Sequence, residues 1–254
     1  MMPKFFVISD IHGFYDEMIK ALDEAGFNPE DENHWLITCG DHFDRGRQPV
    51  KVMRYLQDLP HKILIRGNHE QLLEDLCGRE FPYSYDKSNG TWHTVWCLDP
   101  TAISEINYDV VLNRVRPFFN SMVNYFETKN YIFVHSWVPV INKDGLPAHY
   151  TRGRSFGFNP DWRNASQKEW EDARWGNPYD MAARGLLPDK TVVFGHWHCS
   201  TGWAEAENRS EFGEDAKFDP YYGDGFISID ACTAYSGKCN VVVLEDEFLE
   251  TTNI

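Results

Sequence analysis

HWLITCGDHFDRG, residues 34–46, is an apolar run that stops at a glycine and gives way to two aspartates, a histidine and an arginine. Asp41 and Asp44 lie three positions apart, and Arg45 follows directly. On an open surface this would be a solvated turn. At the end of a buried strand it is a set of donors with a common direction. The flanking sequence decides between the two. KFFVIS (4–9) is a second apolar run, ending in DIHG, and HKILIR (61–66) is a third, ending in GNHE. Between the runs the period changes. Phe14, Met18, Leu22 and Ala25 recur at helical spacing, as do Val52, Leu56 and Leu59 behind Pro49, a residue suited to a first turn. EQLLEDL (70–76) opens a third helix. This β-α-β-α-β-α order predicts a sheet of parallel strands with right-handed crossovers, hence an α/β fold.

The rest of the 254-residue chain is expected to belong to one domain, 1–254. Residues 78–128 read as a helical insertion or cap, with Val115, Phe118, Phe119, Met122 and Phe126 on one helix face. YIFVHSW (131–137) and TVVFGHWH (191–198) resume the strand pattern, and 138–188 and 203–225 read as variable loops. GFISIDA (225–231) and KCNVVVLED (238–246) are expected to pair antiparallel around a turn near Ser236–Gly237.

The charge balance narrows the partners. Twenty-four basic residues stand against 39 acidic ones, a net charge of −15. A nucleic-acid backbone calls for clustered Lys and Arg, so none is expected as a partner. Carboxylate-rich chains do suit hard cations. No apolar run approaches the roughly 20 residues of a membrane helix, so no membrane partner is expected. The start, MMPKFFVISD, has too short an apolar stretch for a signal peptide, and a cytoplasmic location is the expectation. The six cysteines form no CxxC pair and are expected to be reduced, half-buried thiols.

Five strands end in the same way. FFVIS meets DIHG, WLITC meets GDHFDRG, KILIR meets GNHE, YIFV meets HSW and TVVF meets GHWH. Each ending has a plain explanation alone. An Asp caps helices, Asn serves turns, and a lone His is usually a hydrogen-bonded core residue. That explanation must hold five times, always at a strand end. In open α/β sheets ligands gather beyond the carboxyl ends of parallel strands, so one shared site explains all five. Asp10 and His12, two apart, point the same way if extended, as do His196 and His198. Two Asp, one Asn and four His form an oxygen–imidazole set suited to Mn²⁺, Fe or Zn²⁺. Seven donors exceed one tetrahedral ion and suit two ions about 3.5–4 Å apart, bridged by a carboxylate.

DIHG, GDHFDRG, GNHE, a strand-end His and GHWH, in this order, resemble the calcineurin-like metallophosphoesterases. GDxxDRG with GNHE is similar to the serine/threonine phosphoprotein-phosphatase branch, which in bacteria also includes diadenosine tetraphosphate hydrolases. Ser9 stands where that family usually has Gly. The resemblance is close over 5–70, 131–137 and 191–198 and looser over the last strands. It implies a four-layer α/β/β/α sandwich of two mixed sheets. It also implies that Asp10 and His12 bind one metal, Asn68, His135 and His196 the other, and that Asp41 bridges them. His198 would complete the first shell, as in much of the wider superfamily; the protein-phosphatase branch often has water there.

Chemistry extends the set. Two cations sharing a water bring its pKa toward neutrality, and the resulting bridging hydroxide attacks phosphorus in line. Arg45 offers a planar fork to the phosphate oxygens. His69, next to Asn68, is placed to protonate the leaving oxygen, a step typically worth 10²–10⁴-fold, and Asp44 to hold its imidazole. Arg66 reads as structural. YTRGRSFGF (150–158) and WEDARWGNP (170–178) each resemble segments that carry a second phosphate-binding arginine, which leaves Arg152, Arg154 and Arg174 open. The expected function is a phosphomonoesterase using two divalent ions, Mn²⁺ first, acting on Ser/Thr or Tyr phosphoproteins or small phosphate esters. The alternative is a dinucleoside polyphosphate hydrolase on the same centre. A phosphodiesterase or nuclease fits less well, because such relatives usually carry Asp where Glu70 stands. A metal-stabilised binding module would use the nine tryptophans as a peptide surface, but gives His69 and Asp44 no purpose.

Overall fold

The computed structural model describes residues 2–143 and 155–249. The three opening runs form β1 (Lys4–Ile8), β2 (His34–Cys39) and β3 (Lys62–Ile65), alternating with α1 (Tyr15–Ala25), α2 (Pro49–Asp58) and α3 (Asn68–Arg79). All three strands run parallel in the order β1-β2-β3. They are buried on both faces, which is why their sequences are continuously apolar instead of alternating. Phe6, Ile8, Leu36 and Leu64 face the helices. Phe5, Val7, Ile37, Cys39, Ile63 and Ile65 face the other way, onto a second sheet.

Residues 84–120 form three helices, α4 (Ser84–Asn89), α5 (Thr91–Leu98) and α6 (Tyr108–Asn120). Val95, Leu98, Val111, Val115, Phe118 and Phe119 share one apolar cluster with α1, α2 and the outer face of the first sheet. The expected helix face stops short of Phe126. The helix ends at Asn120, and Phe126 sits in β4 (Tyr125–Glu127), paired antiparallel with β5 (Tyr131–Val134). Its ring stacks on Phe133 at 6.1 Å. A strand of three residues is too short to show a period, so the helical stripe ran on through it.

A two-stranded ribbon, β6 (Ile141–Asn142) and β7 (Phe156–Gly157), precedes α7 (Gln167–Ala173) and α8 (Pro178–Ala183). After β8 (Thr191–His198) come α9 (Cys199–Glu207), β9 (Tyr221–Gly223), β10 (Phe226–Asp230), α10 (Thr233–Ser236) and β11 (Val242–Glu245). The second sheet has the order β4-β5-β8-β10-β9, with β5, β8 and β10 parallel. Trp137, Trp162, Trp170, Tyr179 and Met181 cover its outer face. The result is the expected four-layer α/β/β/α sandwich of two mixed sheets.

The two last strands do not pair with each other. β10 joins β8 and β9 in the second sheet, and β11 closes the first sheet antiparallel to β1. Cys232, at φ 51°, and the single turn of α10 carry the chain from one sheet to the other. β10 thereby buries all its residues, and β11 buries Val242 and Leu244, against a core that a bare hairpin lacks. All six cysteines are free; five are buried and Cys97 is partly exposed, so the thiols lie deeper than expected. No helix among the described residues is long and apolar enough to cross a membrane.

Candidate metal centre

The loops after the strands are zipped to one another by backbone hydrogen bonds. Asp10 donates to the Gly40 carbonyl (3.1 Å), His12 to Asp41 (2.9 Å), Gly13 to His42 (2.8 Å) and Gly195 to His135 (2.9 Å). The first two strand ends and the last two are thus joined edge to edge. The joins demand unusual backbone. Among the described residues nine non-glycines have positive φ, and six of them are Asp10, His12, Asp41, Asp44, Arg45 and His196. Such conformations cost on the order of 1–3 kcal/mol each and persist where surrounding structure imposes them. Asp10 and His12 therefore converge through left-handed turns, not through strand alternation.

Asp10, His12, Asp41, Asn68, His69 and His135 are at most 4% exposed. Two clusters of donor atoms form, His12–Asp41–His69 and Asp41–His135–His196, each with ligand atoms within 4.8 Å of one another. Asp41 belongs to both. His12 Nε2 lies 3.8 Å from Asp10 and 3.7 Å from Asp41. His135 Nε2 lies 3.4 Å from Asp41 Oδ1 and 2.7 Å from Asn68 Oδ1. The other ring nitrogens face main-chain carbonyls, His12 Nδ1 at Phe43 (2.8 Å) and His135 Nδ1 at Cys39 (2.8 Å). A carbonyl can only accept, so each Nδ1 carries the proton and each Nε2 keeps its lone pair for the centre. Burial, followed by the charge of Arg45, holds His12 well below the usual histidine range; burial and neighbouring His135 do the same for His196. Neutral imidazoles are what a metal requires. Burial, Asp230 and Asp41 push the Asp10 carboxyl well above the usual carboxylate range. Asp10 and Asp41, buried beside the Nε2 lone pairs of His12 and His135, form an oxygen–imidazole donor set that divalent cations fit.

Glycine is required at two contacts. A Cβ on Gly67 would lie 2.1 Å from Asp41 Oδ1, and one on Gly195 would lie 2.1 Å from Asp10 Oδ2.

His69 differs from the other histidines. Its Nδ1 donates to Asp44 Oδ2 at 2.6 Å, and the same oxygen accepts from Thr91 Oγ1 at 2.6 Å. Burial would lower its pKa, but the Asp41 charge and the Asp44 hydrogen bond outweigh it and raise it. Arg45 is exposed, and its charge is felt by His12, His196 and Asp230. His198 is set apart: Nδ1 lies 3.6 Å from Glu211, its ring 5.5 Å from Phe212, and it joins neither donor cluster. Arg174 is buried after α7, and its Nη2 donates to Asn124 Oδ1. Arg152 and Arg154 lie outside the described residues.

Two buried acids escaped the sequence reading. Glu70 accepts from the N–H groups of Gly67 (2.7 Å), Asp41 (3.2 Å) and His42 (2.9 Å) and from His42 Nδ1 (3.1 Å). Burial alone would raise its pKa; the contacts with His42 and Gly67 overcome this and hold it far below the usual range. Asp230, opposite His198 in the β8–β10 register, is 3% exposed and accepts from Cys232 N at 2.7 Å. Its only sequence signal was a carboxylate at the end of an otherwise apolar strand.

The model of the family described as calcineurin-like phosphoesterase matches residues 3–200, which contain every candidate ligand. The chain belongs to that family. Among curated proteins, this phosphoesterase-family chain is 39% identical over 66 residues to a symmetrical bis(5'-nucleosyl)-tetraphosphatase of Salmonella arizonae. The match covers 26% of the chain and 23% of that protein. Among solved structures, a cold-active protein-tyrosine phosphatase of a psychrophile Shewanella species aligns with TM-score 0.55 at 13% identity. It covers 96% of this chain and 76% of that one. A protein serine/threonine phosphatase from Saccharomyces cerevisiae aligns with TM-score 0.51 at 13% identity, covering 99% and 82%. At such identities these likenesses show the fold.

Proposed function

We propose that the chain hydrolyses phosphate monoesters at a pair of divalent cations held by Asp10, His12, Asp41, Asn68, His135 and His196. The observation that carries this reading is Asp41, one carboxylate shared by two donor clusters, with the His69 ring beside it held by Asp44. Bound cations, with Mn²⁺ favoured and Fe or Zn²⁺ also suited, would supply the Lewis acidity that activates water near neutral pH. The protein does the rest. Asp44, fixed by Thr91, holds the His69 ring and keeps its proton available for the leaving oxygen. Exposed Arg45 presents its fork to the non-bridging phosphate oxygens, and Arg152 or Arg174 is a second candidate for that role. Glu70 keeps the 40–42 loop in place while charge develops.

The substrate favoured by this reading is a phosphoprotein or a small phosphate ester. A second reading, hydrolysis of dinucleoside polyphosphates, is favoured by the local identity to the Salmonella tetraphosphatase. Turnover of p-nitrophenyl phosphate with Mn²⁺ by the parent, set against His69→Asn, tests the chemistry. A panel of phosphoserine, phosphothreonine and phosphotyrosine peptides against diadenosine tetraphosphate separates the substrates. A parent that binds two metals yet turns over none of these is a binding module instead.

A further inference from the structure

The segment between α3 and α4 carries a row of aromatic rings at the surface. Phe81 is 51% exposed, Tyr83 46% and Tyr85 42%, and none of the three belongs to the apolar clusters of the core. The Phe81 and Tyr83 rings meet edge to face at 5.1 Å, and Tyr83 and Tyr85 lie 5.5 Å apart. The row is held in place. The Arg79 guanidinium lies 4.6 Å from the Tyr83 ring and 5.3 Å from Tyr85, and its Nη2 pairs with Asp86. Asp86 Oδ2 also accepts the Tyr83 N–H at 2.6 Å. Rings fixed in this way lose little freedom when a partner packs on them. Contiguous exposed apolar surface of this kind marks interaction sites.

An acidic cavity adjoins the row. Glu80, the residue before Phe81, lines about 340 Å³ together with Glu105, Ile106, Asn107, Tyr108 and Asp109. Glu80, Glu105 and Asp109 are exposed, and among the described residues none of them forms an ion pair. The charges of Asp86, Arg79 and Glu80 all reach Tyr108, which ties the cavity to the row. Charge selects the occupant. A nucleotide, or a second copy of this chain with its net charge of −15, would bring more negative charge to three carboxylates. Cationic side chains neutralise them, and Lys or Arg also packs on aromatic faces. Gly90, at the end of α4, fixes the distance to the metal centre, because a Cβ there would lie 2.4 Å from Arg45 N. α4 rises about 9 Å, so the row stands on the order of 10 Å from the Arg45 backbone, a span of roughly three to four extended residues.

We propose that this face docks a basic peptide segment, Lys or Arg interspersed with apolar residues, a few positions from the phosphorylated side chain of a protein substrate. That the segment belongs to a substrate rests on the phosphoprotein reading; the docking itself does not.

The test uses the manganese-loaded full chain. Fluorescence anisotropy follows a labelled, unphosphorylated octapeptide of Lys, Arg and Leu, with a control that has Glu in place of each Lys and Arg. The basic peptide is expected to bind at least about tenfold tighter than the control and to weaken as sodium chloride is raised. Tyr83→Ala/Tyr85→Ala and Glu105→Gln/Asp109→Asn are each expected to weaken it about tenfold. A phosphopeptide with the basic run three residues from the phosphate is expected to show a KM about tenfold below the same peptide without the run, at equal kcat. Both double variants should lose that advantage while keeping the parent's Tm and its turnover of p-nitrophenyl phosphate. Equal binding of the two octapeptides, or binding unchanged in both variants, overturns the proposal and leaves the hydrolase reading untouched. Diadenosine tetraphosphate binding that falls in the tyrosine variant alone would make the row a base-stacking surface and also overturns it. A parent that binds the basic peptide through these residues yet turns over no phosphopeptide overturns the phosphoprotein reading alone, and the docking stands.

Discussion

Asp41 and Glu70 clamp each other's segments. Glu70 Oε2 accepts the Asp41 N–H at 3.2 Å, while Asp41 Oδ1 accepts the N–H of His69, the residue before Glu70, at 3.0 Å. The loop after β2 and the start of α3 are thereby locked by one bond in each direction. The Glu70 carboxylate is a member of neither donor cluster, yet it holds the left-handed backbone from which the Asp41 carboxylate reaches both of them.

Glu70→Gln is therefore expected to act at a distance. A glutamine has nearly the same shape but turns one acceptor into a donor facing N–H groups. Loss of about 2–3 kcal/mol is expected from that charged, buried network. Metal affinity is expected to fall about 10–100-fold, as when outer-shell partners are removed. Urea denaturation and metal titration check both. Unchanged metal affinity would mean that Asp41 holds its position alone.

His69→Asn and Asp44→Asn are expected to lower kcat by about 10²–10⁴-fold while leaving KM and bound metal nearly constant. The two losses should not add, because Asp44 acts through the His69 ring. Steady-state kinetics on protein of measured metal content gives the answer. A variant at His69 that loses one equivalent of metal would make this residue a ligand and end its role as the acid.

Acid stability has a different origin. Glu127, 8% exposed, accepts two hydrogen bonds from Arg163 (2.7 and 2.8 Å) and one from Lys190 (2.9 Å). Burial would raise its pKa; the three bonds outweigh this and hold it below the usual value. A depressed folded pKa contributes stability above the unfolded pKa of about 4.3, and loses it as pH falls through the folded value. Glu127→Gln is expected to cost about 1–3 kcal/mol at pH 7 and to flatten the stability decline below about pH 4.5. Melting curves from pH 3 to 7 decide. An acid limb identical in the variant would place the sensitive carboxylate elsewhere.

Much of the site was legible because the chemistry sits where the apolar periods break. His135 and Asn68, 67 positions apart, meet at 2.7 Å, each lying just past the end of a strand, β5 in the second sheet and β3 in the first. What escaped did so for physical reasons. Glu70 and Asp230 work through main-chain N–H groups, which every residue possesses, so no residue-type pattern marks them. Phe126 looked helical because a strand of three residues carries no period. The separation of β10 and β11 into different sheets depended on β1, more than 200 residues away, offering a better edge than the neighbouring strand.

Asp10, Asp41 and Asp230 supply the last prediction. All three are at most 3% exposed, and Asp10 feels the charges of both others. Without cations the folded state carries this repulsion, whereas the unfolded chain does not. Ligands that bind only the folded state stabilise it by mass action, about 2.7 kcal/mol at a hundredfold excess over Kd. Chelation is thus expected to lower Tm by several degrees, and added Mn²⁺ to restore it. Asp41→Asn should abolish this metal response, since it touches both clusters, and Asp10→Asn should only reduce it. Asp230→Asn should raise the Tm of the chelated protein, because it removes one charge acting on Asp10 while its side-chain oxygen still accepts from Cys232. Scanning calorimetry with and without chelator measures all four proteins. A chelated Asp230→Asn variant less stable than the chelated parent would show that packing around Asp230, and not carboxylate repulsion, governs the metal-free state.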